Sequence, residues 1–126
     1  MSIILDAGAL VAVERGDRDV IALIKRERQA GRPPLTHGGV VGQVWRGGHG
    51  RQAVLARVLS GLDVHALDDS LGRQAGVLLG RTDVSDVVDA AVVLLADDGD
   101  EIITSDVADL RELAEAAGMQ VDLIPA

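Results

Sequence analysis

Ser85-Asp86-Val87-Val88-Asp89-Ala90-Ala91-Val92-Val93-Leu94-Leu95-Ala96, followed by Glu101-Ile102-Ile103-Thr104-Ser105-Asp106, decides how this chain folds. The first segment has helical length and almost no polar residue besides Asp86 and Asp89. A helix with no polar face is buried. The second segment is a short apolar strand that stops at hydroxyl and carboxylate side chains. A buried helix feeding a buried strand is the repeating unit of an α/β layer structure.

The same alternation runs to both ends. Ser2–Leu5 reads as a strand ended by Asp6 and Gly8, and Ala9–Glu14 as a helix. Asp17 caps a second helix over Arg18–Ala30, in which Val20, Ile21, Leu23 and Ile24 are apolar; Gly31 and Pro33-Pro34 stop it. Leu35-Thr36 is a minimal strand, and Val40–Arg46 a helix broken at Gly47-Gly48. Gln52–Leu59 is a helix, Val64–Leu67 a strand and Ser70–Leu79 a helix. After the opening pair come a helix over Val107–Ala117 and a last strand over Val121–Ile124. Short apolar strands separated by helices predict an α/β fold, a three-layer α/β/α sandwich with a central, mostly parallel sheet. With no repeat or long linker, residues 1–126 are expected to form one domain. Ligands of such sheets gather at the carboxyl ends of the strands, where Asp6 and Asp106 fall.

Composition narrows the function classes. Of the 126 residues 48% are hydrophobic, yet Trp45 is the only aromatic, so the core must be aliphatic. The absence of Cys removes disulfides and thiolate metal sites. No apolar run reaches the roughly 20 residues of a membrane span, and the start lacks the basic flank of a signal peptide. The expected location is the cytoplasm, away from membranes. A net charge of −8 conceals an asymmetry. Residues 1–60 hold nine Lys/Arg against five Asp/Glu, and residues 61–126 three against fifteen. Two faces for different partners, or two differently solvated faces, follow from that division.

The carboxylates carry the chemistry. A charged Asp89 inside an apolar helix is costly unless paired or bound to a metal. Asp86 lies on roughly the same face, where it can serve the helix dipole instead. Asp6, Asp106 and Asp109 can each be ordinary helix caps. Three separate strand-to-helix junctions or helix starts nevertheless offer an Asp, and carboxylates brought together repel unless cations neutralise them. Hard oxygen donors of this kind suit Mg²⁺ or Mn²⁺.

Ile4-Leu5-Asp6-Ala7-Gly8-Ala9-Leu10 resembles the first strand and acidic residue of PIN-domain ribonucleases. Asp89-Ala90-Ala91-Val92-Val93-Leu94-Leu95-Ala96 is similar to that family's Asp-led helix, and Ile103-Thr104-Ser105-Asp106 to its T-x-D strand end. Size and order most resemble the VapC-type toxins of type II toxin–antitoxin systems. The resemblance implies a metal-dependent endoribonuclease in which Asp6, Asp89 and Asp106 hold Mg²⁺ or Mn²⁺ and metal activates a water for attack on an RNA phosphodiester. It also implies a VapB-type antitoxin as partner, and a homodimer. The family's usual Glu after the second strand is replaced here, in Val41-Gly42-Gln43-Val44-Trp45-Arg46, by Gln43. Gln43 can coordinate or orient a water without adding charge, and Asp86 or Asp109 is a candidate for the missing negative charge. The alternative is a catalytically weak or inactive PIN-fold module that binds RNA or a protein partner.

The remaining residues add less. Arg46, Arg51 and Arg57 are candidate phosphate contacts or a solvated surface. Thr104 and Ser105 are helix caps or supports for a ligand carboxylate. His37, His49 and His65 lack ligand spacing and read as surface or packing residues, and Trp45 reads as a core or interface anchor sooner than as a base-stacking platform. Gly47, Gly48 and Gly50 form a turn, since no phosphate-cradle motif occurs. A receiver domain would need a Lys near the last strands, but the only Lys is Lys25. A dehalogenase-type phosphatase would need a carboxylate where Gly8 stands.

Overall fold

The computed structural model describes every residue from Met1 to Ala126. Five strands form one sheet: β1 (Ile3–Leu5), β2 (Leu35–His37), β3 (Asp63–His65), β4 (Glu101–Thr104) and β5 (Asp122–Pro125), in the order β3-β2-β1-β4-β5. Every pairing is parallel, so the expectation of a mostly parallel sheet holds without exception. Seven α-helices supply the crossovers: α1 (Ala7–Glu14), α2 (Arg18–Gln29), α3 (Gly38–Val44), α4 (Ala53–Leu59), α5 (Asp69–Leu79), α6 (Val87–Leu94) and α7 (Val107–Ala116).

Right-handed crossovers fix which helix covers which face. The chain steps from β1 to β2 to β3 in one direction, then returns past β1 to β4 and β5. Accordingly α1 packs with α2, α3 and α4, while α5, α6 and α7 pack with one another. The three layers share an aliphatic core that contains Ile4, Leu5, Leu10, Val92, Ile102, Ile103 and Leu110. The strand order reverses between β1 and β4, the place where α/β sheets open a crevice at their carboxyl ends. Leu5 pairs with Ile103 there, so Asp6 and Thr104 leave the sheet side by side.

Several boundaries differ from those expected, for a common reason. The helices after β1, β2 and in front of β4 begin at Ala7, Gly38 and Val87, not at Ala9, Val40 and Ser85. In each, the preceding side chain (Asp6, His37 or Asp86) accepts a backbone N–H and sets the start. Asp89 therefore lies in the first turn of α6, nearer its beginning than the apolar run suggested. β3 covers Asp63–His65 in place of Val64–Leu67 and is an exposed edge strand. β5 likewise begins at Asp122 and not Val121. No helix is long and apolar enough to cross a membrane.

Candidate metal centre

The carboxyl edge of the sheet collects four aspartates from three junctions. At the end of β1, Asp6 is 3% exposed. One of its oxygens accepts the Ala7 N–H and so starts α1. The other accepts the Thr104 hydroxyl at 2.6 Å. That same hydroxyl accepts the Asp106 backbone N–H at 2.8 Å. One buried Thr side chain thus ties the ends of β1 and β4 together.

Asp106 occupies the cap position of α7, yet its side chain makes no capping bond. With its backbone N–H satisfied by Thr104, its carboxylate is free to turn elsewhere. It turns toward Asp89 and Asp109: carboxylate oxygens of the three lie within 4.8 Å of one another. Asp109 sits one turn into α7. Asp6 stands outside that tight group but close enough for its charge to act on Asp89.

Asp86 behaves differently. Its Oδ1 accepts the N–H groups of Val88 and Asp89, at 2.8 and 3.3 Å, so it finishes the start of α6. Holding that turn in place fixes Asp89, which is only 6% exposed. Burial pushes the Asp89 carboxyl up to about 7, and the charges of Asp6, Asp86 and Asp106 and a hydrogen bond with Asp106 add to it. The chain's ion pairs, Arg32–Glu27, His65–Asp63 and Arg73–Asp69, lie elsewhere. No side-chain cation neutralises this cluster. Clustered oxygen donors with uncompensated charge fit a hard divalent ion such as Mg²⁺ or Mn²⁺.

His37 is the residue whose importance the sequence concealed. It is fully buried. Its Nδ1 accepts the Gly39 N–H at 3.0 Å, which leaves the proton on Nε2 to be donated to the Val88 carbonyl, 3.0 Å away. Burial lowers its pKa, against the Val88 bond and the charges of Asp6 and Asp86, so the ring is held neutral. His37 thereby fastens the start of α3 to the start of α6, one residue from Asp89. The available signal was its place between a strand and Gly38-Gly39, where a cap is needed. Gln43 is exposed on α3. Ser105 fills the space beside Gly8, where any Cβ would collide with it.

No protein-family model and no curated protein sequence matches the chain. Among solved structures it is similar to a chain in the crystal structure of VapBC2 from Rickettsia felis bound to a DNA fragment from their promoter. The TM-score is 0.70 over 98% of this chain and 98% of that one, at 11% sequence identity. At that identity the likeness is one of fold, and it agrees with the PIN-like architecture implied by the sequence motifs.

Proposed function

We propose that this chain is a divalent-metal-dependent endoribonuclease, the toxin of a type II toxin–antitoxin pair working in the cytoplasm. The observation that carries the reading is the meeting of Asp89, Asp106 and Asp109 beside Asp6 with no cation of the protein's own. Fold likeness to VapBC2 supports it. Asp6, Asp89 and Asp106 would hold Mg²⁺ or Mn²⁺, and Asp109 adds the charge that Gln43 does not bring. When bound, such an ion supplies Lewis-acid stabilisation of the charge that builds on an RNA phosphodiester during hydrolysis.

The chain's own groups prepare that chemistry. Thr104 aims the Asp6 carboxylate, and Asp86 and His37 hold the turn that presents Asp89. Asp89 releases its proton as a cation arrives. In the same reading an antitoxin of VapB type covers the site and the chain pairs as a homodimer.

The test is cleavage of total cellular RNA. Wild type should cut with Mg²⁺ or Mn²⁺ and stop on chelation, while Asp89→Asn should be inactive with or without metal. Metal-independent cutting, or an Asp89→Asn variant as active as wild type, removes the assignment.

A second reading, a weak or inactive PIN-fold module binding RNA or a protein, draws on the uncharged Gln43. Gln43→Glu separates the two. A rise in Mn²⁺ affinity and in cleavage marks a muted enzyme; RNA binding that ignores both metal and the substitution marks a binding module.

A further inference from the structure

Between α3 and α4 the chain makes a loop, residues 45–49, followed by a single 3-10 turn over Gly50–Gln52. It is held from beneath by one side chain. Gln52 is 7% exposed. Its Oε1 accepts the N–H groups of Arg46 and Gly48 at 2.8 and 3.1 Å, and its Nε2 donates to the Val44 carbonyl at 2.8 Å and to Glu14 Oε2 at 3.3 Å. A loop with this much internal bonding is a built feature of the surface.

What it displays is an exposed aromatic ring, on a stretch that also carries Arg46 and Arg51. Gly48, at φ +75°, lies so close under Trp45 that a Cβ there would run into the ring. The indole rests on glycine backbone and still leaves 37% of the residue in water, so of the two anchor roles expected for it the core one is excluded and the interface one is not. Arg46 Nη1 donates to the carbonyls of Trp45 and Gly42, at 2.6 and 3.2 Å, which ties the guanidinium to the backbone where α3 ends and the loop begins. Arg46 and Arg51 are exposed and take part in none of the ion pairs. The loop contains no acid, and the nearby Glu14 is engaged by Gln52. In a chain of net charge −8, two exposed arginines outside every ion pair, on the same short stretch as an exposed ring, suit a polyanion with flat apolar faces.

The loop also has a defined relation to the carboxylate edge. α3 has seven residues, so it carries the loop about 10 Å from its own start. That start is His37, bonded to the residue next to Asp89.

We propose that Trp45, Arg46 and Arg51 form a subsite for single-stranded RNA, with a base stacked on the indole and the flanking phosphates on the guanidinium groups. It rests on the ribonuclease reading above and adds where the strand lies. A protein anchor is the less favoured occupant, because the ring lies over Gly48 and the charged residues of this stretch are arginines alone, Arg46 and Arg51.

Trp45 is the only aromatic residue, so its fluorescence reports this subsite alone. Wild type held in chelator, to prevent cleavage, is titrated with a short oligouridylate and separately with inorganic polyphosphate. RNA should quench the emission; polyphosphate, which has no bases, should compete without matching that quench. By anisotropy, Trp45→Ala should weaken RNA binding about 5- to 150-fold for one lost stack, and Trp45→Phe should recover part of it. Arg46→Gln and Arg51→Gln should each lower the salt slope of binding by about 0.7, the value for one phosphate contact on a single strand. Lys25→Gln, an equal charge loss on α2, should leave Trp45 quenching unchanged.

Emission that ignores RNA, or equal RNA affinity in a folded Trp45→Ala chain, overturns the subsite. The quenching arm needs no variant, so a misfolded substitution cannot obscure the answer. Metal-dependent cleavage that persists without any Trp45 dependence defeats the subsite and spares the nuclease. Trp45-dependent binding without cleavage defeats the nuclease and spares the subsite.

Discussion

Asp89 keeps a carboxyl group out of water beside other carboxylates, and its proton affinity carries the strain of that position. Its pKa in the folded chain is about 7, against roughly 3.9 when unfolded. A raised folded value means the native state holds its proton more tightly than the unfolded state does. The stability this provides is complete below about pH 4 and is lost as pH rises through about 7. The metal-free chain should therefore melt at a lower temperature at pH 8 than at pH 5.5, and Asp89→Asn should flatten that decline. A metal-free chain whose melting temperature climbs steadily from pH 5.5 to 8 contradicts the burial of this charge. Thr104 makes a sharper residue-level case, since a single hydroxyl both donates to Asp6 and accepts from Asp106. Thr104→Val keeps the shape and strands both partners, one of them buried. Denaturant unfolding should show a loss of about 1–3 kcal/mol, and the variant should also bind Mn²⁺ more weakly because Asp6 is no longer aimed.

The helix starts explain what the sequence disclosed and what it withheld. Strand and helix order was legible because Gly31, Pro33-Pro34 and the Gly47-Gly48 pair punctuate apolar segments of the right length. The burial of Asp89 was legible too, since the residues around it offer no polar face. The division of labour among the caps was not. Asp6, His37, Asp86 and Asp106 all precede helices at the carboxyl edge, and the side chains of the first three cap while that of Asp106 does not. Local sequence cannot make that distinction, because it depends on the Thr104 hydroxyl arriving through the β1–β4 register. Asp86 and Asp109 stood as equal candidates for the missing charge for a similar reason: only the packing of α7 against α6 decides that Asp109 joins Asp89 and Asp106. Asp86→Ala tests the capping role. It should cost about 1 kcal/mol in unfolding free energy and loosen the turn bearing Asp89. An Asp86→Asn variant, which can still accept both N–H bonds, should recover most of that stability. If Asn is as damaging as Ala, the charge of Asp86 and not its capping oxygen is what the site uses.

At the scale of the whole molecule, the charge division falls into place along the sheet. The second half of the chain, with fifteen acids against three bases, contributes Asp89, Asp106 and Asp109; the first half contributes Asp6 and the arginine-bearing loop. A fold that concentrates negative charge at its carboxyl edge is destabilised there until something neutralises it, so cation binding and folding are linked. Because Asp89 must lose its proton to serve as a ligand, the affinity for a divalent ion should strengthen as pH rises through about 7. Thermal melts with Mn²⁺ at a hundred times its dissociation constant should show a gain equivalent to about 2.7 kcal/mol. At a fixed Mn²⁺ concentration the gain should be larger at pH 8 than at pH 6, opposite in sign to the metal-free trend. Asp109→Asn should reduce the pH 8 gain if that residue supplies the charge absent from Gln43. An equal Mn²⁺ gain at both pH values would mean that the ion binds somewhere other than this cluster. A Mn²⁺ gain undiminished in Asp89→Asn would mean the same.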